Sequence, residues 1–204
     1  LHVAWRTGTG AVEPFVNSAL AAASRGLVTF RHRHRVDELL ISDGRATGVR
    51  GTGLAPDDAP RGAPSNREAL GDFAIRAQAV IVTTGGIGAN HDIVRRYWPQ
   101  RMGTPPASMI TGVPAYVDGR MLDIAAGAGV RLVNRDRMWH YTEGVQNWGP
   151  LWPKHAIRIL PGPSSMWFDA LGRRLPQPYL PGYDTLGTLR YLRTTPDIAE
   201  YGHS

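Results

Sequence analysis

A chain of 204 residues with 42% apolar residues is long enough to bury a core and too apolar to be a disordered tail, while 24 Gly and 16 Pro exclude a helical bundle. The formal net charge of +6, from 23 basic and 17 acidic side chains, suits an anionic ligand, yet the arginines are scattered through loops instead of forming the clustered face that nucleic acid needs. Without cysteine there is no disulfide, no thiolate metal site, no Cys-ligated iron–sulfur cluster and no cysteine nucleophile, a composition that fits a reducing cytoplasm.

No apolar run has the length of a bilayer span and no signal-peptide pattern opens the chain. It begins at Leu1 in mid-pattern, and the expectation is an internal piece of a longer protein. Residues 1–10 have no clear period and end in glycine-rich turn chemistry. Val12, Phe15, Val16, Leu20 and Ala23 then recur at helical spacing and predict a helix over 11–24, stopped by Gly26. Strands are predicted at 27–30 and 36–42, and Asp43-Gly44 is a hairpin signal leading into a returning strand from Ala46. A loop rich in Pro, Asp and Gly fills 53–68, and a further strand is expected at 72–75.

Between the first two strands lies Arg31-His32-Arg33-His34-Arg35. On an extended chain its arginines share one face and its histidines the other, giving either a basic surface beside a phosphate or a solvated strand end. Two histidines without a third ligand type give no metal site, and none is expected.

Residues 77–90, AQAVIVTTGGIGAN, are where a β-branched run meets a glycine turn and a helix start. The run at 79–82 has the signature of a strand buried on both faces, Thr83 to Gly88 are small residues that let a ligand approach, and Asn90 caps a helix over 91–97. Pro105-Pro106 make 99–114 irregular; a helix opens past Asp118-Gly119, and a short strand follows at 130–133. From 134 to 182 Trp139, Trp148, Trp152 and Trp167 sit among prolines with little periodicity, as lining of a cavity or as anchors of a loop-rich core.

Gly86-Ile87-Gly88 is not a dinucleotide fingerprint, because His91 stands where the third glycine belongs and no strand with a ribose-binding acid follows. The whole array is more informative than that loop. Helix, strand, paired strands with an inserted loop, A-x-A-V-I-V-T-T-G-G-I-G-x-N and then D-G-x-x-x-x-x-A-A-G-A together resemble the FAD-dependent dehydrogenases of the fumarate reductase and 3-ketosteroid dehydrogenase superfamily, most strongly over 27–129. Val117 stands for the first glycine of the family's G-D-G, and Thr84 for the usual alanine before Gly85.

The resemblance implies an α/β fold with an α+β cap: part of a Rossmann-like FAD-binding domain with a β-hairpin insertion over 1–111, then the domain join and part of a substrate cap over 112–204. It implies FAD as cofactor, with the backbone at Arg35-Val36 against the adenine, Thr83, Thr84, Gly85 and Gly86 along the adenosine and pyrophosphate, and Asp118-Gly119 near the cofactor and the join. The family's own GxGxxG precedes the stretch matched here.

Flavin dehydrogenation needs a group that takes a proton while the flavin takes hydride. The family's tyrosine chemistry makes Tyr141 the first catalytic candidate, with His140 and Glu143 behind it; a solvent-facing cap strand is the alternative. Pro161-Gly162-Pro163-Ser164-Ser165 offers a turn with backbone donors for a substrate. The fumarate-reductase-like alternative is disfavoured, since Pro178 replaces the glutamate of the G-x-R-F-x-x-E segment. The other alternative is a non-catalytic remnant that no longer binds FAD. The expected partners are a small organic, ketosteroid-like substrate and an electron acceptor of unassigned identity, with no nucleic acid and no membrane span, in the cytoplasm.

Overall fold

The computed structural model describes residues 7–60, 63–162 and 164–201. Helix α1 runs Thr7–Ser24, so the helix begins four residues earlier than the expected 11–24, through Gly8 and Gly10. Gly26 at φ +76 ends it, with Leu27 N donating to Ala22 O at 3.0 Å and Gly26 N to Ala23 O at 2.9 Å. These two bonds satisfy carbonyls that the last turn leaves free. The stripe Val12, Phe15, Val16 and Leu20 stays largely exposed.

Strands β1 (His34–Ser42), β2 (Arg45–Leu54) and β3 (Ala69–Arg76) form an antiparallel sheet in sequence order. Asp43 at φ 51 and Gly44 at φ 72 make the two-residue turn between β1 and β2, as the Asp-Gly pair predicts, because both positions need positive φ to match the twist of the strands. The loop after β2 is held by Arg33, whose Nε donates to Ala55 O at 2.8 Å and whose guanidinium also reaches Asn66 O. Arg33 itself turns at φ 58. That turn breaks the alternation expected of the Arg-His stretch: His32 stacks on Phe30 at 5.8 Å and His34 bonds back to His32 O.

The residues at 27–30, 79–82 and 130–133 are not strands. A strand is defined by its ladder, and among the described residues these three runs have no pairing partner. Ile81 is 87% exposed, which overturns the expectation of a run buried on both faces.

Beyond the sheet, α2 spans His91–Arg96 and a 3-10 turn spans Gln100–Met102 inside the stretch expected to be irregular. Helix α3 is Arg120–Gly127; β4 (Gly144–Gln146) and β5 (Ala156–Arg158) form an antiparallel pair. Helices α4 (Thr185–Thr194) and α5 (Pro196–Ala199) close the described chain and carry no expectation from the sequence. α3 packs on β1, and α4 packs on α5 and on the Gln100–Met102 turn. The core is correspondingly split: Leu39 and Ala125 lie buried in β1 and α3, while Met102, Leu189 and Ile198 lie buried around α4. Burying such side chains supplies the stabilisation of each part, roughly 1.5–3 kcal/mol per large residue. Among the described residues no helix is long and apolar enough to cross a membrane.

Candidate functional site

Asn90 organises the glycine turn. Its Oδ1 accepts from Ile93 N at 3.2 Å and caps α2, while its Nδ2 donates to Asp118 O at 3.2 Å. Ala89 N donates to Val117 O at 3.0 Å. Gly119 then enters α3 at φ +74, and a Cβ there would lie 2.7 Å from Ile87 Cγ2. Only glycine fits both that backbone and that approach. The turn at 83–88 and the start of α3 at 118–119 are thereby pressed together, although some thirty positions separate them in the chain.

The start of β1 joins the same cluster. Asp37 accepts from Arg35 Nε at 2.9 Å and from Thr52 Oγ1 at 2.7 Å, and it also pairs with Arg120, the residue after Gly119. The Arg35 guanidinium holds the Asp37 carboxyl down at about 2, with Thr52 and Arg120 adding to the effect against the cost of burial. Arg35 and Val36 are half-buried at this junction. Arg35, Val36, Asp118 and Gly119 are therefore neighbours, and the glycine turn abuts them.

The turn has the character of a cradle. Thr83, Thr84, Gly85 and Gly86 are all exposed, and a Cβ on Gly86 would meet nothing within 4 Å. Among the described residues the backbone N–H groups from Thr84 to Ile87 have no hydrogen-bond partner. Unpaired donors on small residues fit the diphosphate and ribose of FAD, which need close backbone approach and several N–H groups.

A cavity of about 410 Å³ opens beside this junction, lined by Asn90, His91, Thr111, Asp118, Trp152 and Lys154 among others. His91 Nε2 lies 2.8 Å from Thr111 Oγ1. Burial, then the nearby Lys154 and Arg95 charges, lower the pKa of His91 and favour its neutral form. The Trp152 indole N–H donates to Thr111 O at 3.1 Å. Sequence reasoning passed over His91 and Lys154. The first directly follows the cap residue and the second is the only lysine of the chain, so both carried a signal.

The catalytic candidates form a second cluster. Glu143 is buried, its side chain 4% exposed, and Arg158 donates to its Oε1 from Nε at 2.9 Å and from Nη2 at 2.6 Å. Burial raises its pKa, but the bonds from Arg158 and Thr142 outweigh this and keep the carboxyl below its ordinary value. Thr185 Oγ1 accepts from Thr142 N at 3.1 Å and shares its proton between His140 O at 3.1 Å and Glu143 Oε2 at 3.2 Å. The same Arg158 lies over the Tyr141 ring, 4.2 Å from its centroid. Tyr141 is half-exposed and meets the edge of Trp139. The His140 ring packs at a tilt against Trp98 with centroids 4.9 Å apart, its Nε2 is buried without a partner among the described residues, and burial lowers its pKa. His140 and Tyr141 are not in a strand; the pairing begins at Gly144. Arg158 was missed because only the β4–β5 register, Gly144 opposite Arg158, brings it to Glu143.

Two other expected sites resolve differently. Arg173 pairs with Asp169 at 2.8 Å and with Asp197 at 2.6 Å, so the segment at 172–178 is tied to α5. In the Pro-Gly turn, Ser165 N donates to Gly162 O at 3.1 Å, and Pro163 lies outside the described residues.

The family model described as "FAD binding domain" matches residues 1–201. A KsdD-like steroid dehydrogenase of Mycobacterium tuberculosis is 56% identical over 191 residues, covering 94% of this chain and 33% of that protein. A KsdD-like steroid dehydrogenase of Mycolicibacterium smegmatis is likewise 56% identical over 191 residues, covering 94% of this chain and 34% of that protein. The chain thus spans about a third of the length of the curated relatives it matches. No solved structure matches it. With its glycine turn, its Asp118-Gly119 corner and a family match from end to end, the chain belongs to the FAD-binding domain family.

Proposed function

We propose that this chain is part of an FAD-dependent oxidoreductase that moves a hydride between flavin and an organic, ketosteroid-like substrate. The observation that carries the reading is the contact of the 83–88 turn with Val117 to Gly119, which sets the unpaired backbone donors of Thr84 to Ile87 against the start of α3. The names of the relatives, steroid dehydrogenases, supply the substrate class. In this reading residues 1–111 contribute to a Rossmann-like FAD domain, and 112–204 form the join and part of the substrate cap.

Arg35 and Val36 present their backbone to the adenine. Thr83, Thr84, Gly85 and Gly86 run along the adenosine and pyrophosphate, and Asp118-Gly119 close the cradle. Bound FAD supplies the acceptor for the hydride, and hence the electron pair, that leaves one substrate carbon. The Tyr141 hydroxyl receives the proton that leaves the adjacent carbon and passes one on to water. Arg158 over its ring fixes the orientation of Tyr141, and Glu143 acts through Arg158 as a positioning residue. His140, kept neutral by burial, shapes the pocket wall behind Tyr141. Completing the cycle would require a separate electron acceptor. A fumarate-type reading is disfavoured by Pro178, which stands where that family's segment carries its glutamate, and by Arg173, whose guanidinium is engaged by Asp169 and Asp197.

The test is a titration of the purified protein with FAD, followed by turnover of a 3-ketosteroid with a dye as acceptor. Tyr141→Phe is expected to lower kcat by about 10²–10⁴-fold with flavin content unchanged. Undiminished kcat would remove Tyr141 from the proton step, and unaltered free-flavin fluorescence on titration would leave the remnant reading in its place.

A further inference from the structure

Arg101, Arg137 and Arg190 line one cavity of about 450 Å³, between the Gln100–Met102 turn, the segment before Tyr141 and the first turn of α4. Arg101 is engaged by the Asp136 carboxylate and donates to Asp136 O at 2.8 Å. Among the described residues the guanidiniums of Arg137 and Arg190 have neither a hydrogen-bonded nor an ion-paired acid. Asp184 is the one acid in the lining, and its Oδ1 is spent on capping α4, accepting from Gly187 N at 2.7 Å. Two guanidiniums without a bonded acid therefore line the cavity beside the positive end of a ten-residue helix, with the neighbouring Asp136 charge also acting on Arg137.

The remaining wall is apolar. Met102 is buried, and Met138, Trp139 and Leu186 surround the opening, with the Trp139 ring 70% exposed. The His140 ring lines the same cavity, and among the described residues its buried Nε2 has no partner. A bare inorganic anion would satisfy the arginines and leave the methionines and the indole against water. A hydrocarbon body bearing an acid group satisfies both, and the volume falls in the range of small-molecule sites.

We infer that this cavity binds an apolar organic acid, its carboxylate held by Arg137 and Arg190 and its hydrocarbon skeleton laid against Met138, Trp139 and Leu186. A planar guanidinium takes a carboxylate through two parallel bonds, which makes the acid group the specificity element. The inference rests on the cap reading above in making this ligand the substrate, because the cavity wall at His140 adjoins Tyr141; ligand binding without turnover does not depend on it.

Flavin-loaded protein is titrated calorimetrically with a naphthalene carboxylate and with the corresponding neutral primary amide, whose shape is nearly the same. The acid is expected to bind about tenfold or more tightly than the amide, the factor typical of a charge-assisted bond. Arg190→Gln and Arg137→Gln should each remove about tenfold from the acid and leave the amide within about twofold. Equal affinities for acid and amide, or variants that bind the acid as the parent does, would overturn the inference. Inorganic phosphate that displaces the acid at equal concentration would also overturn it, since the site would then need no hydrocarbon. A parent protein that takes up no FAD yet keeps the acid–amide difference would sink the flavoenzyme reading and uphold this one.

Discussion

The β1–β3 sheet and the three runs at 27–30, 79–82 and 130–133 are made of the same kinds of residue, yet only the sheet pairs. Leu39 lies opposite Val49 across the two-residue turn at Asp43-Gly44, and β3 returns onto β2 after the loop over 55–68. The runs have no such turn beside them. Leu27, Ile81 and Val133 remain 72%, 87% and 62% exposed. Strand propensity reports how well a side chain fits a pleated surface, and that surface has to be provided by a neighbour. Hairpins provide it locally; parallel strands need a crossover and a partner far along the chain.

Paired side chains should carry stability that unpaired ones do not, which gives the sharpest test of this contrast. Leu39→Ala should cost about 2–5 kcal/mol in a denaturant titration, the usual loss for a buried leucine. Ile81→Ala in the same chain should change stability by less than about 0.5 kcal/mol, as at other exposed positions. A comparable loss at both would mean that the 79–82 run is packed after all, and the distinction between the two regions would disappear.

The glycine turn sits at the end of one of these runs, and its contact with α3 can be broken directly. Gly119→Ala places a methyl at φ +74 and 2.7 Å from Ile87 Cγ2. The strain and overpacking should cost about 1–3 kcal/mol and weaken FAD binding in the same variant. Stability lost without any change in FAD affinity would separate the fold of this corner from its proposed use.

A smaller effect comes from Asp37, which ties the paired sheet to α3. Its folded pKa, about 2, lies below the ordinary 3.8, so its contribution is complete above the ordinary value and fades as pH falls through the folded one. Asp37→Asn should therefore cost about 0.5–1 kcal/mol at neutral pH, with the gap to the parent closing between about 4 and about 2. A gap that stays constant on acidification would show that Asp37 acts through packing and not through its charge.

What the sequence discloses follows the same division. The Asp43-Gly44 turn, the Asn90 cap and the helix after Gly119 are local signals, written in one to four adjacent residues, and each appears in the structure. The register that sets Arg158 beside Glu143 joins residues fifteen positions apart through two three-residue strands, too short to show a period. Helix α4 was silent for a different reason. Its Thr-Leu-Gly-Thr-Leu opening is poor in helix formers, and packing on Met102 and Ile198 overrides that propensity. The proximity of the two cofactor motifs was legible only as a family pattern, because no local rule requires residues 85 and 117 to touch.

Asn90 has a consequence for anyone who would redesign the loop. Its amide is used twice, as an acceptor toward Ile93 N and as a donor toward Asp118 O. Aspartate keeps the cap but offers no donor and sets a negative charge against a carbonyl; serine keeps the cap but its single hydroxyl does not span both partners; glutamine has both groups on a stem one methylene too long. The chemistry thus leaves one residue type at this position.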